Sequence, residues 1–336
     1  MIRKIGIFAI CECTFVLING RTFVDMCAKT MANKLDTNIL GAKALRAVVK
    51  VVGKLPLGFH YCFGRVMSWF LSSVMHYRYD VVLTNISRSF PDQKYGFVKK
   101  TAKEFYRHLG EIAAETIWFG ASDYKRLYES GIVTVTNPEV FNDYFENAPS
   151  MAVLFSHCGN WELLGGFLGF KTDNGVKVNL EEEQIKVVFK ALHNETANQF
   201  FLLNRAAALE KVGPSCQIEA SQILRRAIKW RNDKNIFIYI ADQYPYQGAH
   251  EIGDFMSQPT KVMLGGAGVA HKLGQSVVYL KMKRVERGHY EMTFIPICRN
   301  AAESTPEDIM RKYFDLLEEE IKETPYNWLW SHKRWK

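Results

Sequence analysis

A chain of 336 residues is long enough to bury a large core, which excludes a small scaffold that depends on disulfide bonds. Lys and Arg total 43 against 35 acidic residues, and the net charge of +8 predicts a polyanionic partner such as anionic lipid, a phosphorylated substrate or nucleic acid. No zinc-finger spacing or RNP-like aromatic strand is present, which argues against nucleic acid. The seven cysteines lack the spacing of a disulfide framework, which indicates a reducing, cytosol-facing location.

Residues 1–38 form an N-terminal extension that contains one short apolar stretch, Ile5 to Ile18, interrupted by Glu12. This stretch is shorter than the ~20 residues of a membrane-spanning helix. Basic residues precede it, but no small-x-small cleavage site follows it, so we favour an uncleaved anchor or a shallow insertion over a signal peptide.

Residues 39–58 predict an amphipathic helix with one basic stripe and one apolar face. The basic residues recur at intervals of three and four: Lys43, Arg46, Lys50 and Lys54. Such a helix can lie among lipid headgroups with its cations against phosphates, or it can be an ordinary surface helix on a core. The next segment, Phe59 to Met75, is nearly all apolar or aromatic, and a further helix is predicted from about Lys94 to Trp118. We therefore predict that residues 39–120 form a helical, membrane-associating region.

From Met151 onward, short β-branched or aromatic runs alternate with helical stretches. Strands that alternate with helices predict a mainly parallel sheet. A closing hairpin of residues 277–285 and 290–297 makes the sheet mixed. The fold class is therefore α/β, with a mixed, mainly parallel sheet flanked by helices. We assign residues 121–336 to a catalytic α/β domain that forms one structural unit with residues 39–120. The predicted strands are 153–155, 187–189, 236–240 and 277–280, and the helices are 161–170, 195–209, 219–230 and 262–273.

The stretch from Ser156 to Glu162 follows the strand 153–155 and begins a helix, which is where open α/β sheets present reactive groups. His157 at this position can act as a general base toward a hydroxyl while the Glu162 carboxylate fixes its tautomer. The alternative is a polar His–Glu contact that only caps the helix. Cys158 could serve as a nucleophile, but adjacent side chains on an extended backbone point in opposite directions, so we favour the general base.

Two further groups are predicted near His157. Asp242 follows the strand 236–240, so a parallel sheet would bring it to the same edge. Arg205 lies on the helix after the strand 187–189 and would place a cation there, and its planar fork suits phosphate. Taken singly, Asp242 could simply cap a loop, and Arg205 could simply lie on a solvated helix face. We assign Asn160, Lys190 and Gln243 to substrate binding.

From about Leu40 to Lys336, the chain resembles the bacterial lipid A biosynthesis acyltransferases, the secondary enzymes of the lauroyl and myristoyl transferase type. The ending Trp328–Lys336 is similar to the family's Trp-x-x-His-x-Arg-aromatic-Lys terminus, which makes an accidental match improbable. The stretches that carry the resemblance are Asn85–Pro91, His157–Glu162 with Gly165–Gly166, Arg205, Asp242–Gln243 and that ending.

The resemblance implies that His157 is the general base, that Glu162 is its partner, and that Arg205 and Asp242 are the remaining essential pair. It also implies acyl carrier protein as the acyl donor, a lipid A precursor as the acceptor, and a place among inner membrane lipids at the cytoplasmic face, with no metal or organic cofactor. Lys190 stands where the family usually has Arg-Pro, and Phe255-Met-Ser257 where it has Phe-Phe-Gly. These departures affect substrate contacts.

Two alternatives remain open at the level of the sequence. The same chemistry could act on another acceptor, such as an amino-acid lipid, a glycolipid or a lysophospholipid. A non-catalytic lipid-binding protein could use the basic helix alone. Substitution of His157 by Ala separates them, because it inactivates either enzyme and leaves a binding protein intact.

Overall fold

The computed structural model describes residues 27–245 and 249–335, with side chains from residue 40 onward. The predicted anchor between Ile5 and Ile18 lies outside the described residues. The described residues up to Ser130 are largely helical, and the strands of the sheet begin at Val133. The first helices are α1 (Cys27–Val52), α2 (Leu57–Trp69), α3 (Tyr79–Ser89), α4 (Tyr95–Phe119), α5 (Tyr124–Ser130) and α6 (Pro138–Glu146), with a π-helical turn at Phe70–Val74.

The sheet is mixed and mainly parallel, as the sequence predicted. Its order is β3-β1-β10-β9-β2-β6-β4-β5, and β9 and β10 are the antiparallel pair. Of the remaining helices, three lie between the later strands and the last follows β10. The strands are β1 (Val133–Val135), β2 (Met151–Phe155), β3 (Lys171–Thr172), β4 (Ile185–Phe189), β5 (Gln217–Glu219), β6 (Ile236–Ile240), β9 (Ser276–Glu286) and β10 (His289–Cys298). The helices are α7 (Glu195–Arg205), α8 (Ile223–Lys229), α9 (Gly265–Leu273) and α10 (Pro306–Glu323).

The central strand β2 is buried along its whole length, which explains its continuous apolar sequence from Met151 to Phe155. It pairs in parallel with β6 on one side and β9 on the other. Phe155 and Ile240, the last residues of β2 and β6, are directly paired. The chain therefore leaves both strands at the same level, at the carboxyl edge of the sheet.

Two sequence predictions were wrong in detail. The helix predicted over 262–273 begins only at Gly265, because Val262 belongs to a small antiparallel hairpin of β7 (Ala249–Phe255) and β8 (Gln258–Met263). The segment predicted as a helix over 161–170 is a 3₁₀ helix from Trp161 to Gly169. Its tight packing needs glycine, since a Cβ at Gly165 would overlap the carbonyl oxygen of Arg205.

An apolar surface covers the outer side of α1, α2 and the π-helical turn. Most of the exposed large hydrophobic side chains of the described part lie there, with Val51 at 71%, Val66 at 63% and Trp69 at 61% exposure. Lys43, Lys50 and Lys54 are exposed as well. None of the described helices combines the length and the apolar character that a membrane crossing requires.

Arg46 departs from the predicted basic stripe. Its guanidinium turns inward, donates a hydrogen bond to the carbonyl of Gly120 and lies 3.5 Å from Oδ1 of Asn204. Carbonyl groups at the carboxyl end of a helix such as α4 lack partners within the helix, and Arg46 supplies a donor there. Burial lowers the pKa of Arg46. Arg46 therefore turns away from the basic stripe in which the sequence placed it, and it joins α1 to α4 and α7.

Candidate active site

His157 and Asp242 come together because they follow paired strand ends. Each lies two residues beyond the Phe155–Ile240 pair, so the parallel register places one beside the other. The Nδ1 atom of His157 is 2.7 Å from Oδ1 of Asp242, and the main-chain N–H of His157 donates to Oδ2 at 2.9 Å. The sequence predicted both residues at this edge, and the geometry agrees.

The surroundings of His157 define its tautomer. Because Asp242 is ionised, Nδ1 carries the proton and donates it, which leaves Nε2 with a lone pair. The side-chain nitrogen of Gln243 lies 3.1 Å from Nε2, as expected for an amide N–H that donates to that lone pair. The ring of Trp161 meets the imidazole edge to face, with centroids 5.0 Å apart. His157 thus has the tautomer that a general base requires.

Asp242 is held as a buried anion, with 2% of its surface exposed. Burial acts to raise the pKa of its carboxyl, but the adjacent imidazole and the hydrogen bonds from His157 and from the indole of Trp328 outweigh burial and lower the pKa to about 2. Asp242 therefore remains ionised at neutral pH.

Glu162 contacts Arg205, whereas the carboxylate on the imidazole is Asp242. The Nε and NH2 groups of Arg205 donate to the two Glu162 oxygens at 2.8 and 2.6 Å, a bidentate pair. The indole N–H of Trp161 adds a third bond to Glu162, at 3.1 Å. The sequence predicted that Glu162 orients the imidazole. In the structure, Glu162 instead contacts and orients Arg205. The 3₁₀ helix turns Glu162 away from the sheet edge and toward α7.

A cavity of about 340 Å³ opens beside these groups. Its polar end carries His157, Glu162, Arg205 and Gln243, and Lys190 lies on its rim after β4. Its remaining wall is largely apolar. The apolar lining consists of Leu164, Ile185, Val187, Val188, Phe189, Leu192, Leu209, Cys216 and Ile240. Such a cavity suits a ligand with a polar head and an alkyl body.

Asn160, which the sequence assigned to substrate binding, is not among the residues that line this cavity. Its side chain is fully buried, donates to Glu115 at 2.8 Å and accepts from the main-chain N–H of Glu162 at 3.2 Å. Asn160 follows Gly159, whose φ of 64° turns the loop into the interior. Glu115 on α4 anchors this loop, a role that no local pattern in the sequence indicates.

Cys158 is fully buried and is not among the residues that line the cavity. Burial raises the pKa of its thiol well above the ordinary value. A buried neutral thiol is a poor nucleophile, which disfavours a Cys158 acyl intermediate. Within the described residues, no three His, Cys, Asp or Glu side chains group in a way that could hold a metal ion.

The fold and the site define an α/β protein with a His–Asp pair and an Arg–Glu pair at the mouth of an apolar cavity. The sequence model of the bacterial lipid A biosynthesis acyltransferases matches residues 30–336, so the chain belongs to this family and is an acyltransferase of lipid A biosynthesis. A search of curated proteins found none that matches the chain.

Proposed function

We propose that this protein is an O-acyltransferase that moves a fatty acyl group from an acyl carrier protein thioester to a hydroxyl of a lipid A precursor, in a secondary acylation. The observation that carries the proposal is the His157 imidazole, whose Nδ1 is held by Asp242 and whose Nε2 faces an apolar cavity. Membership of the family supports lipid A as the acceptor.

In the proposed reaction, Nε2 of His157 removes the proton of the acceptor hydroxyl as its oxygen attacks the thioester carbonyl carbon. Asp242 stabilises the imidazolium that forms. The tetrahedral intermediate then collapses, the C–S bond breaks, and the imidazolium returns the proton to the departing thiol. Gln243, which now contacts Nε2 at 3.1 Å, must yield that position to the hydroxyl.

We assign Arg205 to an anionic group of the substrates. Its side chain lines the cavity and is 36% exposed, whereas that of Glu162 is 7% exposed. The bidentate contact with Glu162 fixes the plane of the guanidinium. The side chain therefore loses less conformational entropy when a phosphate or an oxyanion binds. Lys190 on the rim would add a second cation for the same group.

We assign the apolar wall of the cavity to the acyl chain. Strands β4 and β6 contribute Ile185, Val187 and Ile240, and Leu209 also lines the cavity. Burying a chain against these residues provides about 0.8 kcal/mol per methylene, which draws the thioester toward His157. The carrier protein itself would remain outside the cavity.

We further propose that the protein works at the cytoplasmic face of the inner membrane. The apolar surface of α1 and α2, flanked by Lys43, Lys50 and Lys54, supports attachment in the headgroup region of anionic lipid. Attachment of this kind would bring a membrane-borne acceptor to the enzyme without a spanning helix among the described residues.

The proposal is tested by mass spectrometry of lipid A from a strain in which the gene has been deleted. We expect lipid A that lacks one secondary acyl chain, restored by the intact protein and not by His157→Ala. Unchanged lipid A with another lipid under-acylated would assign the same chemistry to a different acceptor. Full restoration by His157→Ala would remove the catalytic role altogether.

A further inference from the structure

We propose that Trp328, near the end of the chain, is a positioning residue for acyl transfer: its indole N–H holds the carboxylate that orients His157. This inference rests on the proposed function and adds a residue to its machinery. The Trp-rich ending identifies the family in the sequence, but the sequence alone gives it no chemical task.

The contact is direct and shielded from water. The indole Nε1 of Trp328 donates to Oδ2 of Asp242 at 2.7 Å, and both side chains are 2% exposed. The same oxygen accepts the main-chain N–H of His157, so Oδ1 is left to the imidazole. Two donors on Oδ2 stop rotation of the carboxylate about its Cβ–Cγ bond. Without the indole, one main-chain N–H would have to do this alone.

The ending of the chain is built into the catalytic loop. Cys158, the residue after His157, forms an antiparallel bridge with Trp328. The N–H of Gly159 donates to the carbonyl of Asn327 at 3.1 Å. The loop that carries the imidazole and the segment that carries the indole therefore move as one piece.

The residues after Trp328 accept hydrogen bonds from α3 and from Arg78, the residue that precedes α3. The amide of Asn85 donates to the carbonyls of Trp330 and His332 at 2.9 and 2.8 Å. Arg78 donates to the carbonyl of Ser331 at 2.8 Å. These bonds explain why the Asn85 stretch and the Trp-rich ending occur together in one sequence, since the first holds the second against the site.

A purely structural role for Trp328 is the competing explanation, because its ring also packs against Phe255, Trp330 and Trp335. Trp330 provides a matched control. It is fully buried in the same cluster, and its indole N–H donates to the carbonyl of Pro325 at 2.6 Å. It therefore also donates an indole hydrogen bond in the same segment, but to a main-chain carbonyl and not to Asp242.

Loss of the indole donor has a defined electrostatic sign. A carboxylate that gives up one hydrogen bond becomes more basic and attracts the imidazolium more strongly, so the imidazole takes up its proton at a higher pH. Charged groups near the pair include Arg334, the Glu162–Arg205 ion pair and Lys190 of the cavity lining, all of which Trp328→Phe leaves in place. Burial lowers the pKa of His332 to about 3, so this neighbour stays neutral.

The experiment compares the wild type, Trp328→Phe and Trp330→Phe in the full chain. Diethyl pyrocarbonate modifies neutral imidazole, so the rate of His157 modification against pH, resolved by mass spectrometry, gives the midpoint of its protonation. Exposed His193 on the cavity rim is the internal reference. In parallel, kcat and KM for acyl transfer are measured.

We expect Trp328→Phe to shift the pH dependence of His157 modification upward and to lower kcat about 10- to 100-fold, with KM little changed. Trp330→Phe should lower thermal stability and leave both quantities as in the wild type. Equal changes in the two variants, or a midpoint that moves in neither, would overturn the inference.

Two provisions keep the result decisive. If Trp328→Phe does not fold, benzothienylalanine at position 328 replaces only the N–H by sulfur at nearly unchanged volume, and the same shift is expected. If the wild type transfers no acyl group to any acceptor, the proposed function fails while the modification midpoints still decide the role of Trp328.

Discussion

Replacement of Asp242 by Asn tests which carboxylate serves the imidazole. The Asp242 carboxylate accepts three hydrogen bonds, from Nδ1–H and the main-chain N–H of His157 and from the indole of Trp328. An amide has only one oxygen. If that oxygen faces the two donors at Oδ2, the NH₂ group faces Nδ1. The reverse orientation would set the NH₂ group against two buried donors, at about 1 to 3 kcal/mol for each unsatisfied group.

The first orientation is therefore favoured, and it forces His157 into the tautomer with its proton on Nε2. That tautomer cannot accept a proton from the acceptor hydroxyl. In serine hydrolase triads the equivalent change lowers kcat about 10⁴-fold, equivalent to about 5 kcal/mol, and we expect a loss of this order for Asp242→Asn.

The assay combines acyl transfer rates with the ¹⁵N spectrum of labelled histidine, which reports the tautomer. Glu162→Gln is the matched control, because it removes a carboxylate of the same site that contacts Arg205 rather than the imidazole. Glu162→Gln should change the rate through Arg205 and leave the tautomer of His157 as it is. A tautomer that persists in Asp242→Asn, or that switches in Glu162→Gln, would refute the reasoning.

Three further predictions concern groups outside the His–Asp pair. Cys158→Ala should retain acyl transfer within a few-fold, because the thiol is buried and protonated; complete loss in a folded variant would support a covalent intermediate. Burial raises the pKa of Glu320 from 4.5 to about 7, so its contribution to stability is present below pH 4.5 and is lost as the pH rises through 7. Denaturant titrations should show the free energy of unfolding falling by about 3 kcal/mol over this interval in the wild type, and a flatter dependence in Glu320→Gln. The double substitution Val66→Ser and Trp69→Ser should weaken flotation with anionic vesicles while transfer to a detergent-solubilised acceptor persists; unchanged flotation would exclude this surface as the attachment site.

The sequence predicted the sheet well because its central strands are continuous apolar runs. The strand from Ile236 to Ile240 was placed without error, and His157 and Asp242 followed from the rule that parallel strands meet at one edge. The hairpin at Gly288 was equally clear, since two alternating runs flank a tight turn. These signals come from residues close together in the chain, so a single sequence is enough to read them.

What the sequence missed depends on contacts between distant residues. Nothing near Glu162 shows that a 3₁₀ helix will turn it toward Arg205, 43 positions later in the chain. Nothing near Arg46 shows that it will bond to Gly120, or near Asn160 that its amide will meet Glu115. The sequence assigned Glu162 to the imidazole, Arg46 to the lipid headgroups and Asn160 to substrate, whereas each side chain contacts a distant polar partner within the protein.

The Arg–Glu and His–Asp pairs together explain why four charged or titratable groups can share one small site. Each cation or potential cation faces its own carboxylate, so no charge is buried without a partner. Separation into two pairs also separates their tasks. In the proposed reaction, the His–Asp pair would handle the proton of the hydroxyl, and the Arg–Glu pair would present a guanidinium of fixed orientation to an anionic group.

The most direct test of the central claim is transfer measured with the purified protein, using a panel of acyl carrier protein thioesters and purified lipid A precursors. The account predicts that one acyl chain moves to a hydroxyl of the precursor and that His157→Ala, although folded, transfers none above background. Transfer by His157→Ala at the wild-type rate would contradict it.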